Sequence, residues 1–277
     1  MGTNHLCVGI TLYHPDNKII EYLKSLSHKV DYIFVFDNSD NNSSYRHQFN
    51  IENLIYHFTG KNQGLSKAYN WCFEKALYYH QDYLLLLDQD SCYDQDLILQ
   101  MQEEIFIYPD NQDVAIHAFN IKPLGEEVSK NELQFYEVNE VISSGSFLNV
   151  DVIEKSHLRY DENLFVDYVD HDFCHQIYDH DLRIIVHDQL IVYQTLGYMH
   201  NGRICHSPVR HYYMMRDVGY MNKKYYSPSM VRKKTISTLI TELHNCFKED
   251  KTLKKIKYVL KGYKDYKNGV KGEYCEN

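Results

Sequence analysis

The sequence predicts an α/β fold: a Rossmann-like, mostly parallel central sheet with helices on both faces, followed by a helical C-terminal extension. Three observations carry this. Short apolar runs alternate with segments of helical period through the first half. The run Leu84-Leu85-Leu86-Leu87 ends in Asp88-Gln89-Asp90, as a buried strand ends at a polar sheet edge. Beyond residue 222 the chain becomes basic and keeps a helical period.

The elements follow in order. Leu6–Thr11 reads as a strand, and Ile19, Ile20, Leu23 and Leu26 then fall at helical spacing. Tyr32–Phe36 is a second strand, ended by Asp37-Asn38-Ser39-Asp40, and Leu54–Phe58 a third. Leu65–Tyr79 reads as a helix, Tyr83–Leu87 as the fourth strand, and Leu97–Tyr108 as a helix closed by Pro109-Asp110. Val114–Phe119 is a fifth strand. Val141–Val150 reads as a strand broken by Ser143-Ser144-Gly145, Arg183–Val192 as another strand, and Pro208–Tyr225 as a helix. There is no internal repeat and no low-complexity linker. The expected organisation is one body over 1–222 in two parts, to about residue 120 and from 121, with a basic helical extension over 223–277.

Composition excludes several classes. With 44% hydrophobic residues, five Pro and 12 Gly, the 277-residue chain can bury a sizeable core and is neither disordered nor fibrous. Its 26 Tyr read chiefly as packing with a polar tip. The seven cysteines, Cys7, Cys72, Cys92, Cys174, Cys205, Cys246 and Cys275, form no Cys-x-x-Cys pair. Reduced thiols in a cytoplasmic setting are expected, rather than a disulfide framework or structural zinc. No signal peptide is read at the amino end, and no apolar stretch approaches the roughly 18 residues of a membrane span. Residues 223–277 carry 14 Lys and Arg against six Asp and Glu, while the preceding residues carry 15 against 32. An acidic body argues against a nucleic-acid binder. The tail's apolar residues Ile236, Leu239, Ile240, Leu243, Phe247, Leu253, Ile256, Tyr258, Val259, Leu260 and Tyr263 sit among its lysines. That pattern suits either an anionic membrane surface or packing on the body with a solvated basic face.

Candidate site residues gather at strand ends. Thr11 and Tyr13 follow the first strand, Asp37, Asn38 and Ser39 the second, Asp88 and Asp90 the fourth. In a parallel sheet these ends share one crevice. An Asp there can accept a pyrimidine imide N–H, although Asp37–Asp40 also reads as a turn cluster. Paired carboxylates suit a hard divalent cation. Asn62-Gln63-Gly64-Leu65-Ser66-Lys67-Ala68-Tyr69-Asn70 opens a helix, where Gly64 permits a tight backbone and Ser66 can cap. It is either a phosphate-facing helix start or a plain capped helix. Phe165–Cys174 interleaves aromatics with Asp167, Asp170 and Asp172, and such a carboxylate can be tuned towards a general base. No His-Glu-x-x-His is present, which argues against a zinc hydrolase.

Together, Asp37-Asn38-Ser39, Asn62–Asn70, Asp88-Gln89-Asp90-Ser91, Ile142-Ser143-Ser144-Gly145, Asp167–Cys174 and Arg210-His211-Tyr212-Tyr213 with Arg216 resemble glycosyltransferase family 2, of the GT-A fold. Its rhamnosyltransferase-like members, which build bacterial surface polysaccharides, are most similar. The resemblance runs from about Val8 to Tyr220 and more faintly through Lys257–Gly272. It implies an inverting transfer of a sugar from a nucleotide-diphosphate donor, dTDP-rhamnose or a UDP-sugar, to a lipid-linked glycan acceptor. It assigns donor contacts to Thr11, Tyr13, Asp37, Asn38, Asn62, Gly64, Lys67, Asp88 and Gln89. Acceptor contacts fall to Ser144, Gly145 and Asp172, and the catalytic base to Asp170. A Mg or Mn ion would sit on Asp90. The family often places a His metal ligand before Leu-Gly. Here that place reads Tyr193-Gln194-Thr195-Leu196-Gly197, so Gln194 would stand in. The resemblance also implies a cytoplasmic enzyme, peripheral on the inner face of the membrane. A nucleotide-sugar-binding protein without turnover and a metal-dependent nucleotidyltransferase are the alternatives. The latter lacks its usual Gly-rich basic loop near Thr11–Asn17.

Overall fold

The computed structural model describes residues 5–40, 45–91, 93–123, 134–194, 198–200 and 203–275. They fall into two compact units. The first takes the described residues of Met1–Asn62, Lys67–Tyr160 and Phe173–Gln194; the second takes those of Gln63–Ser66, Asp161–Asp172 and Thr195–Asn277.

In the first unit, parallel strands β1 (Leu6–Leu12), β2 (Tyr32–Asp37), β3 (Leu54–Phe58) and β4 (Tyr83–Asp88) pair in the order β3-β2-β1-β4. The sheet continues through β7, β5, β8 and β6. Here β5 is Val114–Pro123, β6 Phe135–Val138, β7 Ser146–Asn149 and β8 Arg183–Gln194. β7 runs antiparallel to both β4 and β5, and β6 antiparallel to β8. β1 is buried along its whole length because helices cover both its faces, which is why it is continuously apolar. Leu6, Val8, Ile10 and Leu12 join one core with Ile19, Ile20, Leu23 and Leu26 of α1 (Asn17–Leu26) and Ile98, Met101 and Ile105 of α3 (Gln95–Ile107). On the opposite face, a Cβ added at Gly9 would lie 2.8 Å from Cys72 of α2 (Leu65–Tyr78), so that helix seats directly on the strand. Asp16 starts α1 by accepting from the backbone of Lys18 and Ile19.

The expected strands and helices are found with ends shifted by a few residues. β7 begins only after the Ser143-Ser144-Gly145 break, and β5 runs on to Pro123. β6 and the six-residue α4 (Val150–Lys155) were not expected; they are too short to show a period.

In the second unit, α6 (Pro208–Tyr225), α7 (Pro228–Lys248) and α8 (Thr252–Lys267) pack together after α5 (Val169–Asp179) has begun in it. The short strands β9 (Tyr198–His200) and β10 (Arg203–Cys205) pair antiparallel. Phe165, Tyr212, Tyr213 and Tyr258 form one cluster, and Met215, Val218, Cys246 and Val259 a second. The apolar positions of the tail divide. Tyr258 and Val259 are buried, and Leu239, Leu243, Ile256 and Tyr263 pack against the second cluster. Ile236, Ile240, Phe247, Leu253 and Leu260 face solvent. Among the described residues no helix is long and apolar enough to cross a membrane. Among the described residues Cys7, Cys72, Cys174, Cys205, Cys246 and Cys275 form no disulfide; Cys92 lies outside the described residues.

Candidate active site

The sheet register assembles the polar strand ends of the first unit. Thr11 is in register with Phe36 on one side and Asp88 on the other, and Leu12 with Asp37. Asp37 and Asp88 therefore flank the end of β1, each about one strand spacing, roughly 4.8 Å, away. This is the carboxyl edge where open α/β sheets take their ligands.

Asp37 is fully buried. Its carboxylate accepts from the backbone N–H of Ser39 at 2.9 Å and from the Tyr56 hydroxyl. Burial and then the Asp37 hydrogen bond raise the Tyr56 phenol above its ordinary range, so it remains a donor. The chain turn after β2 is pinned by Asn38 N–H to the Leu12 carbonyl, 2.8 Å, and by the His14 N–H to the Ser39 hydroxyl, 2.8 Å. The Thr11 hydroxyl is buried and has no hydrogen-bond partner among the described residues, an acceptor and donor available to a ligand.

At the end of β4, Asp88 accepts from the Tyr69 hydroxyl at 3.1 Å, and its backbone N–H donates to the Ser144 hydroxyl at 3.1 Å. The Ser144 hydroxyl donates to Ser91 at 3.0 Å, the Ser144 carbonyl accepts from Tyr93 at 3.2 Å, and the Gly145 N–H donates to the Leu86 carbonyl at 2.8 Å. Ser144 and Gly145 are thus buried braces of the Asp88–Ser91 turn. Gln89 clasps the backbone of Tyr13 from both sides, accepting its N–H at 2.8 Å and donating to its carbonyl at 2.9 Å. One bond at each end of that side chain lets Gln89 fix the loop after β1. Asp90 is exposed beside it.

A divalent ion needs oxygen donors here. Gln194 donates to the Ser91 hydroxyl at 3.4 Å, while its amide oxygen is buried without a partner among the described residues. An orphaned buried carbonyl beside the residue that follows Asp90 fits a hard cation, and so do the Asp90 and Asp88 carboxylates. Among the described residues, no three His, Cys, Asp or Glu gather as a metal site, so the fit depends on the amide oxygen. Thr195-Leu196-Gly197, which complete that motif, lie outside the described residues.

Asn62, half-buried, closes the first unit's stretch, and Lys67 of α2 is exposed. In the second unit, Gly64 adopts φ +86°, and a Cβ there would lie 2.7 Å from the Phe165 carbonyl oxygen. Leu65 N–H donates to that carbonyl at 2.7 Å, and the Ser66 hydroxyl donates to the Leu164 carbonyl at 2.7 Å. Ser66 does not cap α2 as expected, because the helix already starts at Leu65 and the hydroxyl lies inside its first turn.

The acidic segment of the second unit separates its three carboxylates. Asp170 sits half-buried in the first turn of α5, just after Tyr168, which is held at φ +63°. Asp172 is fully buried and bound by Lys224 at 2.8 Å and by the Tyr225 hydroxyl at 2.8 Å. Its carboxylate tethers α5 to α6. Asp167 is buried with one oxygen 3.2 Å from Arg210 Nε and the other without a partner among the described residues. Burial, opposed by Arg210 and reinforced by Asp217, pushes its carboxyl up to about 7. Sequence reasoning missed Tyr56, Arg210, Lys224 and Asp217 as partners, and only their distance along the chain hid them.

The sequence model described as Glycosyl transferase family 2 matches residues 7–158. The dTDP-rhamnosyl transferase RfbF of Shigella flexneri is 26% identical over 298 aligned residues, covering 98% of this chain and 97% of that protein. Among solved structures, TarS of S. aureus is similar with a TM-score of 0.52 at 16% identity, over 96% of this chain and 49% of that one. GalNAc-T7 with UDP, GalNAc and Mn2+ is similar with a TM-score of 0.57 at 9% identity, over 97% of this chain and 57% of that one. The chain spans about half the length of these two structural relatives, and at such identities the likeness shows the fold, GT-A.

Proposed function

The chain belongs to glycosyl transferase family 2 and is a glycosyltransferase, and we propose that it transfers rhamnose from dTDP-rhamnose, with inversion, to a glycan hydroxyl on a lipid-linked acceptor in surface polysaccharide synthesis. The observation that carries the donor half is the register setting Thr11 between the ends of β2 and β4. Asp37 accepts the thymine imide N–H through acceptor positions that Ser39 and Tyr56 leave open, since a carboxylate offers about four. The unpartnered Thr11 hydroxyl and Asn38 meet the nucleoside, and Asp88 the ribose or diphosphate. Asn62, Gly64 and Lys67 serve the diphosphate end, Lys67 through its charge.

Asp90, with the Gln194 amide oxygen, would hold Mg or Mn, which when bound neutralises charge on the departing diphosphate as a Lewis acid. The protein's own task is to orient the donor and to take a proton. Asp170 removes it from the acceptor hydroxyl, whose oxygen attacks the anomeric carbon on the face opposite the diphosphate. Asp167 is the second candidate, favoured by its buried, partnerless oxygen and a carboxyl tuned to about 7. The exposed apolar and basic residues of α7 and α8 support peripheral docking on an anionic membrane.

The test is donor selection. Thermal shifts with dTDP, UDP and GDP, and hydrolysis of dTDP-rhamnose, UDP-galactofuranose and UDP-hexoses with and without a glycan acceptor, should single out dTDP and dTDP-rhamnose. Stabilisation by UDP alone would replace rhamnose by a UDP-sugar. Binding of dTDP-rhamnose without release of dTDP, acceptor present, would remove the rhamnosyl reading.

A further inference from the structure

The second unit contains a hollow of about 620 Å³ that the transfer reaction does not use. It lies where the end of α6, the start of α7 and the last turns of α8 meet, and Lys223, Tyr226, Arg232, Tyr263, Tyr266 and Lys267 line it. No carboxylate lines it. Lys223 Nζ lies 4.9 Å from the centre of the buried Tyr266 ring, and Lys234 Nζ 4.2 Å from that of Tyr226.

The charges around the hollow are unbalanced in a specific way. Lys224, Lys255 and Lys261, on the same helices, each pair with an Asp or Glu within 2.9 Å. Lys223, Arg232 and Lys267 have no carboxylate within ion-pairing distance among the described residues. The blander account is helix electrostatics: a cation is favoured near a helix carboxyl end, and Lys223 and Lys267 stand in the last turns of α6 and α8. Helix electrostatics does not extend to Arg232, the fifth residue of α7, which stands outside both terminal turns of its helix.

An apolar track leaves the same hollow. Ile236 lines it, and Ile236, Ile240 and Phe247 are exposed at helical spacing along α7. Unpaired cations, flanking tyrosines and an adjoining exposed apolar track together fit one kind of ligand. We propose that this hollow seats the phosphate headgroup of a membrane lipid, with Lys223, Arg232 and Lys267 on the phosphate and Ile236, Ile240 and Phe247 dipping into the acyl region. The volume is within the ordinary range for a small-ligand site. The purpose of the site rests on the lipid-linked acceptor proposed above; its existence does not.

The test uses the full chain and vesicles of phosphatidylcholine with and without phosphatidylglycerol. Binding only to the anionic vesicles is expected. Replacing Lys223, Arg232 and Lys267 together by Gln should weaken it on the order of a hundredfold, at about a factor of five for each charge. A control triple, Lys251→Gln, Lys254→Gln and Lys257→Gln, removes equal charge from residues that do not line the hollow and should cost much less. Ile236→Ser with Phe247→Ser should weaken vesicle binding and leave the melting temperature unchanged, as these side chains are exposed. Equal losses from the two charge triples would reduce the effect to diffuse attraction and overturn the site. Competition by millimolar inorganic phosphate, with no effect of Ile236→Ser, would make the ligand a free phosphate and overturn the lipid. Absence of binding to anionic vesicles at low salt overturns both, while a dTDP thermal shift in the same preparation keeps the transferase reading separate.

Discussion

Asp217 Oδ2 lies 3.0 Å from the backbone nitrogen of Phe165, and the same oxygen accepts the Val166 N–H at 3.3 Å. Asp217 is held in turn by Arg216 Nε at 2.8 Å, and Arg216 also donates to the Gly272 carbonyl at 2.5 Å. Both side chains are fully buried, and the Phe165, Tyr212 and Tyr213 rings surround the guanidinium. A helix and the end of the chain thereby set the backbone that leads into Asp167 and Asp170.

Breaking this pair should be costly, because it strands a buried charge. Asp217→Asn is expected to lower unfolding free energy by about 3–5 kcal/mol, read from urea denaturation. Arg216→Met should cost a similar amount. The double variant should cost less than the sum of the two, since neither partner is then left alone. Additive losses would mean that the two side chains stabilise the unit independently.

Gly64→Ala should be disruptive although it adds one methyl. The residue sits at φ +86°, and the new Cβ would meet the Phe165 carbonyl oxygen and ring. A left-handed backbone costs an L-residue roughly 1–2 kcal/mol before any clash. The Leu65 to Phe165 hydrogen bond at 2.7 Å would be strained as well. A thermal melt within about 1 °C of wild type would show that the turn yields freely.

Much of the sheet was legible because strands buried on both faces must be continuously apolar, as β1 and β4 are. Their carboxyl ends followed from the polar residue that stops each run, so Thr11, Asp37 and Asp88 could be placed at one edge. Their partners could not. Tyr56 meets Asp37 from 19 residues away, and Ser144 meets Asp88 from 56. Nothing local to Asp172 announces Lys224 and Tyr225, 52 and 53 residues on. In the tail, helical period announced a helical extension over 223–277 without dividing it into α7 and α8. It could not say which apolar residues face inwards, because Leu239 packs against the core and Ile240 is exposed on the next position of the same turn.

The metal prediction turns on Gln194. Its amide oxygen is a neutral, weak ligand, so Gln194→His should bind Mn or Zn more tightly and Asp90→Ala more weakly. Isothermal titration of Mn in the presence of dTDP measures both. Asp90→Ala should also reduce the thermal shift by dTDP much more than that by thymidine, because only the diphosphate meets the ion. Equal reduction would make Asp90 a structural residue, and full transfer in EDTA would remove the ion from the mechanism.

Asp167 and Asp170 can be separated by pH. The folded carboxyl of Asp167 is raised to about 7 from an ordinary 3.8, chiefly by burial. Below pH 4 both the folded and the unfolded chain hold the proton, and the full contribution to stability is present. As pH rises towards 7 the unfolded chain loses it readily while the buried group resists, so stability is lost across that window. Asp167→Asn stays neutral. It should therefore gain melting temperature over wild type by more at pH 8 than at pH 5, by on the order of 5 °C. A pH-independent difference would show that Arg210 already compensates the charge. The same two pH values divide the catalytic assignment. If Asp170 is the base, Asp170→Asn lowers transfer about 10²–10⁴-fold at both, and dTDP-rhamnose binding survives. If Asp167 is the base, wild-type transfer falls on the acid side of about pH 7, and Asp167→Asn abolishes it at both values. Near-normal turnover of Asp170→Asn, together with such an acid limb, would transfer the role to Asp167.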